Sequence, residues 1–288
     1  MEEKNLIRKK KDKTTKLWKT TLSDGSVMPL IKFEALEALG IVEHCFTTRE
    51  GGVSKDIFAS LNLSFTRGDE EAAVRENYKR LAEALGVSVE DFVFTDQTHT
   101  DHVIRVGKAE RGMGITKERA YHDVDGLVTD EPGVVLSTFF ADCVPLYFVD
   151  PVHHAIGMSH SGWRGTVKRM GQRTLEKMKQ EFGTDPGEVT AAVGPSICQD
   201  CYEVSQDVAE EFQAAFPGHE TEILFEKGNG KYQLDLWRAN ERVLLDAGIT
   251  KNHLVVTDLC TCCNSDYLFS HRASHGRRGN LGGFLYLK

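Results

Sequence analysis

The chain has 288 residues and a mass of 32.2 kDa, with 40% hydrophobic and 27% charged residues, a balance that excludes disorder and allows a sizeable core without disulfide support. Its formal net charge is −8; eight Lys/Arg against three Asp/Glu leave +5 on residues 1–20, so the remainder carries −13. Such an acidic body repels a phosphate backbone, and no apolar stretch reaches the roughly 20 residues of a membrane span, so neither nucleic acid nor a bilayer is an expected partner.

The basic residues 1–20 read as a flexible tail, and residues 21–288 as one catalytic domain, with no repeat or Pro/Gly-rich linker to divide it. A β-rich run at 41–47 is followed by a helix over 70–86, where Val74, Tyr78, Leu81 and Leu85 share one face and Gly86 terminates it. Further β-rich runs fall at 92–95 and 102–106. The runs 124–129, 134–140, 145–149 and 154–159 then succeed one another without a helix between them. A second helix is expected over 167–182, with Val167, Met170, Thr174, Met178 and Phe182 on one face and Gly183 behind it. Weaker helices fit 205–216 and 237–247, and strands fit 189–193, 254–257 and 283–287. Consecutive strands exclude strict β-α alternation, so the fold class is α+β, a single domain of mixed β-sheet with flanking helices. The N-terminus lacks the apolar core of an export signal, and a cytoplasmic protein is expected. Seven cysteines, an odd count, read as reduced thiols or metal ligands.

Chemistry-bearing residues cluster at the ends of expected strands. His99, in Gln97-Thr98-His99, follows the run at 92–95, and alone it reads as a structural histidine. Asp142 and Cys143 end the apolar run 134–140, an ending rare for a buried strand, where a reactive site and a small buried thiol beside a turn-capping acid are equally good accounts. His160 opens His160-Ser161-Gly162-Trp163-Arg164-Gly165 between a strand and a helix, a setting in which Arg164 and free backbone N–H groups attract an anion. Together His99, Cys143 and His160 offer two nitrogens and one sulfur, which suit tetrahedral zinc with a fourth position open, and also copper. Arg49, before Gly51-Gly52, and Asn62 just beyond form a weaker oxyanion candidate. Cys198 and Cys201 lie 59 residues or more from Cys260, Cys262 and Cys263, and that spacing favours unconnected thiols over a four-cysteine zinc site. Asp123-Val124-Asp125-Gly126 reads as a turn.

The segments TTREGGVS, SLNLS, QTH, DVDGLVTD, ADCVPL, HSGWRG, GPSICQDCYEV and FSHR…GRRG carry a resemblance to the YfiH-type family, labelled multicopper polyphenol oxidase or laccase and also assigned purine nucleoside phosphorylase activity. It runs from about residue 30 to the C-terminus. The resemblance implies a CNF/YfiH-like cysteine-hydrolase-type fold, and a metal held by His99, Cys143 and His160: zinc, or copper under the older label. It also implies phosphorolysis of adenosine, inosine and methylthioadenosine to base plus pentose 1-phosphate, and deamination of adenosine to inosine. Asp142 is then the candidate for moving protons, and Arg49, Asn62 and Arg164 for binding substrate and phosphate. The chain departs from the family at Thr98 and Thr100, where Gln-Val-His-Gly is usual, and at Arg272-Ala273-Ser274-His275, where Arg-Arg-Asp-Gly is expected. The rival expectations are a copper polyphenol oxidase and a metal-free hydrolase with Cys143 as nucleophile and His160 as base.

Overall fold

Every residue of the strand Val144–Asp150 is buried, because its two faces enter two different cores. Leu146 and Phe148 pack toward helices, whereas Tyr147 and Val149 pack toward a second sheet. In the computed structural model, which describes residues 5–288, this strand lies inside a six-stranded sheet. The order across it is Leu254–Val256, Thr190–Val193, Val144–Asp150, Ala155–Ser161, Gly126–Thr129, Val103–Arg105. The second six-stranded sheet runs Thr15–Thr21, Val27–Phe33, Val42–Thr47, Leu281–Leu287, Val135–Phe140, Phe92–Phe94. Both mix parallel and antiparallel pairs.

The two sheets face each other across Ile31, Phe46, Leu136 and Leu285 on one side and Leu127, Tyr147, Ile156 and Met158 on the other. The helix Glu71–Leu85 covers the far face of the second sheet, setting Val74, Tyr78, Leu81 and Leu85 against Leu30, Cys45, Val135 and Phe284. Helices Met170–Phe182 and Leu236–Asp246 cover the first sheet, with Met170, Met178, Val243 and Leu244 against Val128, Leu146 and Phe148. The result is an α+β domain layered helix, sheet, sheet, helix, with a small sheet of Glu203–Ser205, Lys231–Leu234 and Leu224–Gly228 at the helical side. Among the described residues no helix is long and apolar enough to cross a membrane.

Three local expectations are corrected. The stretch taken as a tail is largely built into the fold: Thr15–Thr21 pairs along its whole length with Val27–Phe33, and Arg8 forms an ion pair with buried Asp258. As an edge strand with mostly half-exposed or exposed side chains, Thr15–Thr21 carries no apolar signature; residues 1–4 of that stretch lie outside the described residues. The expected helix 167–182 is two, Trp163–Val167 and Met170–Phe182, separated by Arg169 at φ +61°, a left-handed turn that apolar spacing does not register. His160 belongs to the strand Ala155–Ser161, opposite Pro145, and not to the loop after it.

Candidate active and metal site

The site is organised by a buried carboxylate. Asp125, wholly inaccessible, accepts hydrogen bonds from the backbone N–H groups of Thr98 (3.1 Å), His99 (3.2 Å) and Thr100 (2.8 Å), and from the Thr100 hydroxyl (2.9 Å). The chain at 98–100 is thus wrapped around one oxygen-rich point, with His99 at φ +66° and its ring against that of His160. The same carboxylate meets His160 Nδ1 at 2.7 Å. One acid therefore orients both histidines, leaving Nε2 of His160 directed away from Asp125.

Cys143 enters from the turn after Val135–Phe140. Its neighbour Asp142 has φ +85° and is clamped on both carboxylate oxygens, by the Thr261 hydroxyl at 2.6 Å and the Arg272 N–H at 2.7 Å. The Asp142 carbonyl takes the Ile197 N–H at 3.0 Å. Gly162 passes beside the pair; a Cβ there would sit 3.0 Å from the His99 ring and 3.1 Å from Cys143 Sγ, so the close approach requires glycine. The His99 and His160 rings lie edge to face, 4.9 Å between centroids. One ligand atom from each of His99, Cys143 and His160 lies within 4.8 Å of the other two. Two imidazoles and a thiol at this spacing fit one tetrahedral ion with a fourth position left over, and the Asp125 bond to His160 is the second contact such ligands commonly make.

The electrostatics favour a charged pair. Burial pushes the Cys143 thiol up, but His160 and His99 outweigh it and bring the pKa down to about 6. Burial likewise disfavours charged His160, yet the Cys143 thiolate and Asp125 raise it to about 9. Asp125 stays ionised because His160 and Thr100 more than offset its desolvation. Between those values the metal-free pair is thiolate and imidazolium. In chelator-treated protein, alkylation of Cys143 by iodoacetamide is expected to reach half its maximal rate near pH 6; a midpoint at the ordinary thiol value would show that no such pair forms.

These three residues line a cleft of about 340 Å³. Its other walls bring Phe65, Phe139 and Phe140 together with Arg67, Arg119 and Arg278. Arg119 is paired with Asp96 at 2.8 Å. Arg278 is 8% exposed, its pKa is lowered to about 10 by burial and by the charge of Arg67, and its Nε has no hydrogen-bond partner among the described residues. Two guanidinium groups that repel each other across a cleft make a place for an anion.

The structure brings the three expected metal ligands together and moves the other candidates elsewhere. Asp142, with both oxygens occupied, does not line the cleft; it shapes the turn that presents Cys143. Asn62 is fully buried, its amide donating to Asp69 and its carbonyl accepting from Ser64 and Asn280, so no atom is left for a substrate. Arg49 donates to the carbonyls of Ala59 (2.8 Å) and Ser265 (3.1 Å) beside Phe269 and lines a separate cavity. Arg164 is exposed, lies over the Trp163 ring at 4.2 Å and is not a cleft residue. Asp125, Arg67 and Arg278, to which the sequence alone assigned no role at a site, are the residues found there: Asp125 bonds His160, and Arg67 and Arg278 line the cleft. A buried acid inside DVDG and the second arginine of GRRG were visible signals; their distance from the histidines along the chain hid their use. The thiols expected to be unconnected are also corrected: one ligand atom each of Cys198, Cys201, Cys260 and Cys263 lies within 4.8 Å of the rest.

Comparison with known proteins places these observations among relatives. Residues 43–288 match the family model described as multi-copper polyphenol oxidoreductase laccase. The chain is 36% identical over 247 residues to "Purine nucleoside phosphorylase YlmD" of Bacillus subtilis, covering 84% of this chain and 87% of that protein. It is 35% identical over 263 residues to "Adenosine deaminase RL5" of an unknown prokaryotic organism, covering 90% of this chain and all of the other. The crystal structure of YlmD from Geobacillus stearothermophilus superposes with a TM-score of 0.85 at 35% identity, covering 90% of this chain and 96% of that one.

Proposed function

We propose, since this chain belongs to the family described as multi-copper polyphenol oxidoreductase laccase, that it is a zinc-dependent purine nucleoside enzyme, acting by phosphorolysis on adenosine, inosine and methylthioadenosine and by deamination on adenosine. The observation that carries the reading is the convergence of His99, Cys143 and His160 at a cleft that also presents Arg67 and Arg278. Relatives named as a purine nucleoside phosphorylase and as an adenosine deaminase support it.

His99, Cys143 and His160 would hold the ion, which when bound supplies Lewis acidity beside the substrate. The chain's own groups supply the rest. Asp125 keeps the proton on His160 Nδ1, so the free ring nitrogen stays fixed toward Cys143. In phosphorolysis a phosphate oxygen bonds to the ribose C1′ as the bond to the base nitrogen breaks, and the base leaves with a proton. Arg67 and Arg278 are placed to hold that phosphate, while Phe65, Phe139 and Phe140 offer apolar surface to the base. Deamination needs no phosphate: water adds at the purine C6 and ammonia departs. Arg67→Ala is therefore expected to raise the phosphate KM by roughly tenfold, the worth of one charge-assisted contact, and to leave inosine formation unchanged. Equal losses in both reactions would remove Arg67 from phosphate binding.

The deciding experiment is chromatography of adenosine after incubation with zinc-loaded protein, with and without phosphate, beside His160→Ala. Phosphate-dependent adenine, with or without inosine, is expected from the natural chain and neither product from the variant. Unchanged adenosine in every tube would overturn the proposal. A second reading draws on the Cys143, His160, Asp125 row, which is also the order of nucleophile, base and orienting acid in a cysteine hydrolase. Activity that survives a chelator and is lost on alkylation would favour it. The copper oxidase reading calls for electrons collected over several coppers, and among the described residues the histidine-bearing ligand group is one. All seven cysteines are unpaired, which supports a reducing compartment, the cytoplasm, as the setting.

A further inference from the structure

We propose that Cys198, Cys201, Cys260 and Cys263 form a second metal centre, a four-thiolate zinc site that cross-links the two segments behind the catalytic turn. The two pairs have the Cys-x-x-Cys spacing that zinc sites use, and one atom of each residue lies within 4.8 Å of the other three. A tetrahedron with zinc-sulfur bonds of about 2.3 Å has edges near ~3.8 Å. The Sγ atoms of Cys201 and Cys263 are 3.5 Å apart and those of Cys198 and Cys263 are 4.0 Å apart, on either side of that value. They are too far apart for a sulfur-sulfur bond of about 2.05 Å.

The surroundings suit thiolates. Backbone N–H groups of Cys198 and Cys263 point at Cys260 Sγ, at 3.2 and 3.4 Å. Lys9, 2.7 Å from Asp200, acts electrostatically on Cys198 and Cys263. Binding exchanges four thiol protons for one Zn²⁺ and leaves a net charge of about −2, which these donors and that ammonium offset. Cys262, between the two ligands of the second pair, is outside the group.

The place of the cluster gives it a use. The two segments are already joined in register at Ser196 and Cys260. Each then reaches the Asp142 turn: Ile197 N–H bonds the Asp142 carbonyl and the Thr261 hydroxyl bonds its carboxylate. A clip across the two pairs fixes both of these donors, and with them the position of Cys143.

The test counts zinc in the full chain purified without chelator. Cys143→Ala is expected to retain about one zinc per chain, and so is Cys143→Ala with Cys262→Ser. Cys143→Ala combined with Cys201→Ser and Cys263→Ser is expected to retain none. Should that last variant fail to fold, Cys143→Ala protein is titrated with a mercurial, and four thiols blocked per zinc released support the site. Cobalt exchanged into Cys143→Ala should show the intense thiolate charge-transfer bands of a four-sulfur centre. A Cys143→Ala protein without zinc, one whose four thiols are joined as disulfides by mass, or one holding iron would overturn the proposal. Inactivity toward adenosine would overturn the catalytic reading alone, since the zinc count in Cys143→Ala does not depend on it.

Discussion

Cys143→Ala is expected to abolish adenosine turnover by both routes, by at least ~10³-fold, while the protein stays folded. The sulfur is the one anionic donor of the three ligands, and burial between two histidines makes it the group with the strongest hold on a cation. Two imidazoles, one of them exposed, leave too few donors to retain zinc at a catalytic position. The loss in stability is expected to be small, within about 2 kcal/mol, because the side chain is small and borders a cleft rather than a sealed core. Circular dichroism melts and zinc counts on the same sample check both halves. Turnover that persists would place the chemistry elsewhere, and global unfolding would show that Cys143 holds the fold.

Asp125→Ala is expected to have the largest structural effect of any single change at the site. It removes the acceptor of three backbone N–H groups and of His160 Nδ1 in one step. Buried donors left without partners cost about 1 to 3 kcal/mol each, less what water recovers at the more open Thr98, so a loss of about 3 kcal/mol is reasonable for the whole turn. His160, left with Cys143 but without the second group that raises it, should titrate lower, and His99 should lose its fixed position. Metal affinity is expected to fall by roughly 10 to 100-fold, the usual effect of removing such an orienting group. Competition with a chromogenic chelator measures it. Asp125→Asn keeps the volume but turns an amide toward N–H donors, so it should rescue little. Unchanged affinity in both variants would show that the histidines are positioned without Asp125.

The group of His99, Cys143 and His160 was legible as a candidate because each member stands near the end of a strongly apolar strand, where a polar or reactive side chain is out of keeping with a core. His99 follows Phe92–Phe94, Cys143 follows Val135–Phe140, and His160 is the penultimate residue of the wholly buried strand Ala155–Ser161. Helix Glu71–Leu85 was legible for a similar reason, since its core residues and its terminating Gly86, at φ +68°, are all local. The arginines that line the cleft were not. Arg49 and Arg164 sit beside glycines and strand ends, which is a local argument; Arg278 reaches the cleft because a late loop folds back over residues near 65, 97 and 140.

The sequence by itself determined the α+β class, most of the strands and helices between residues 41 and 193, and the identity of three side chains that together suit a metal. These depend on residue type and on periods of two or of 3.6, which the chain carries in itself. Only the tertiary structure decided that two sheets stack between helices, that Thr15–Thr21 completes a sheet edge, and that Asp125 ties both histidines together. It alone also gathered Cys198 and Cys201 with Cys260 and Cys263. Contacts of that kind join residues far apart along the chain, and their cost in chain entropy is met by the packing of the whole domain, so no local pattern has to announce them.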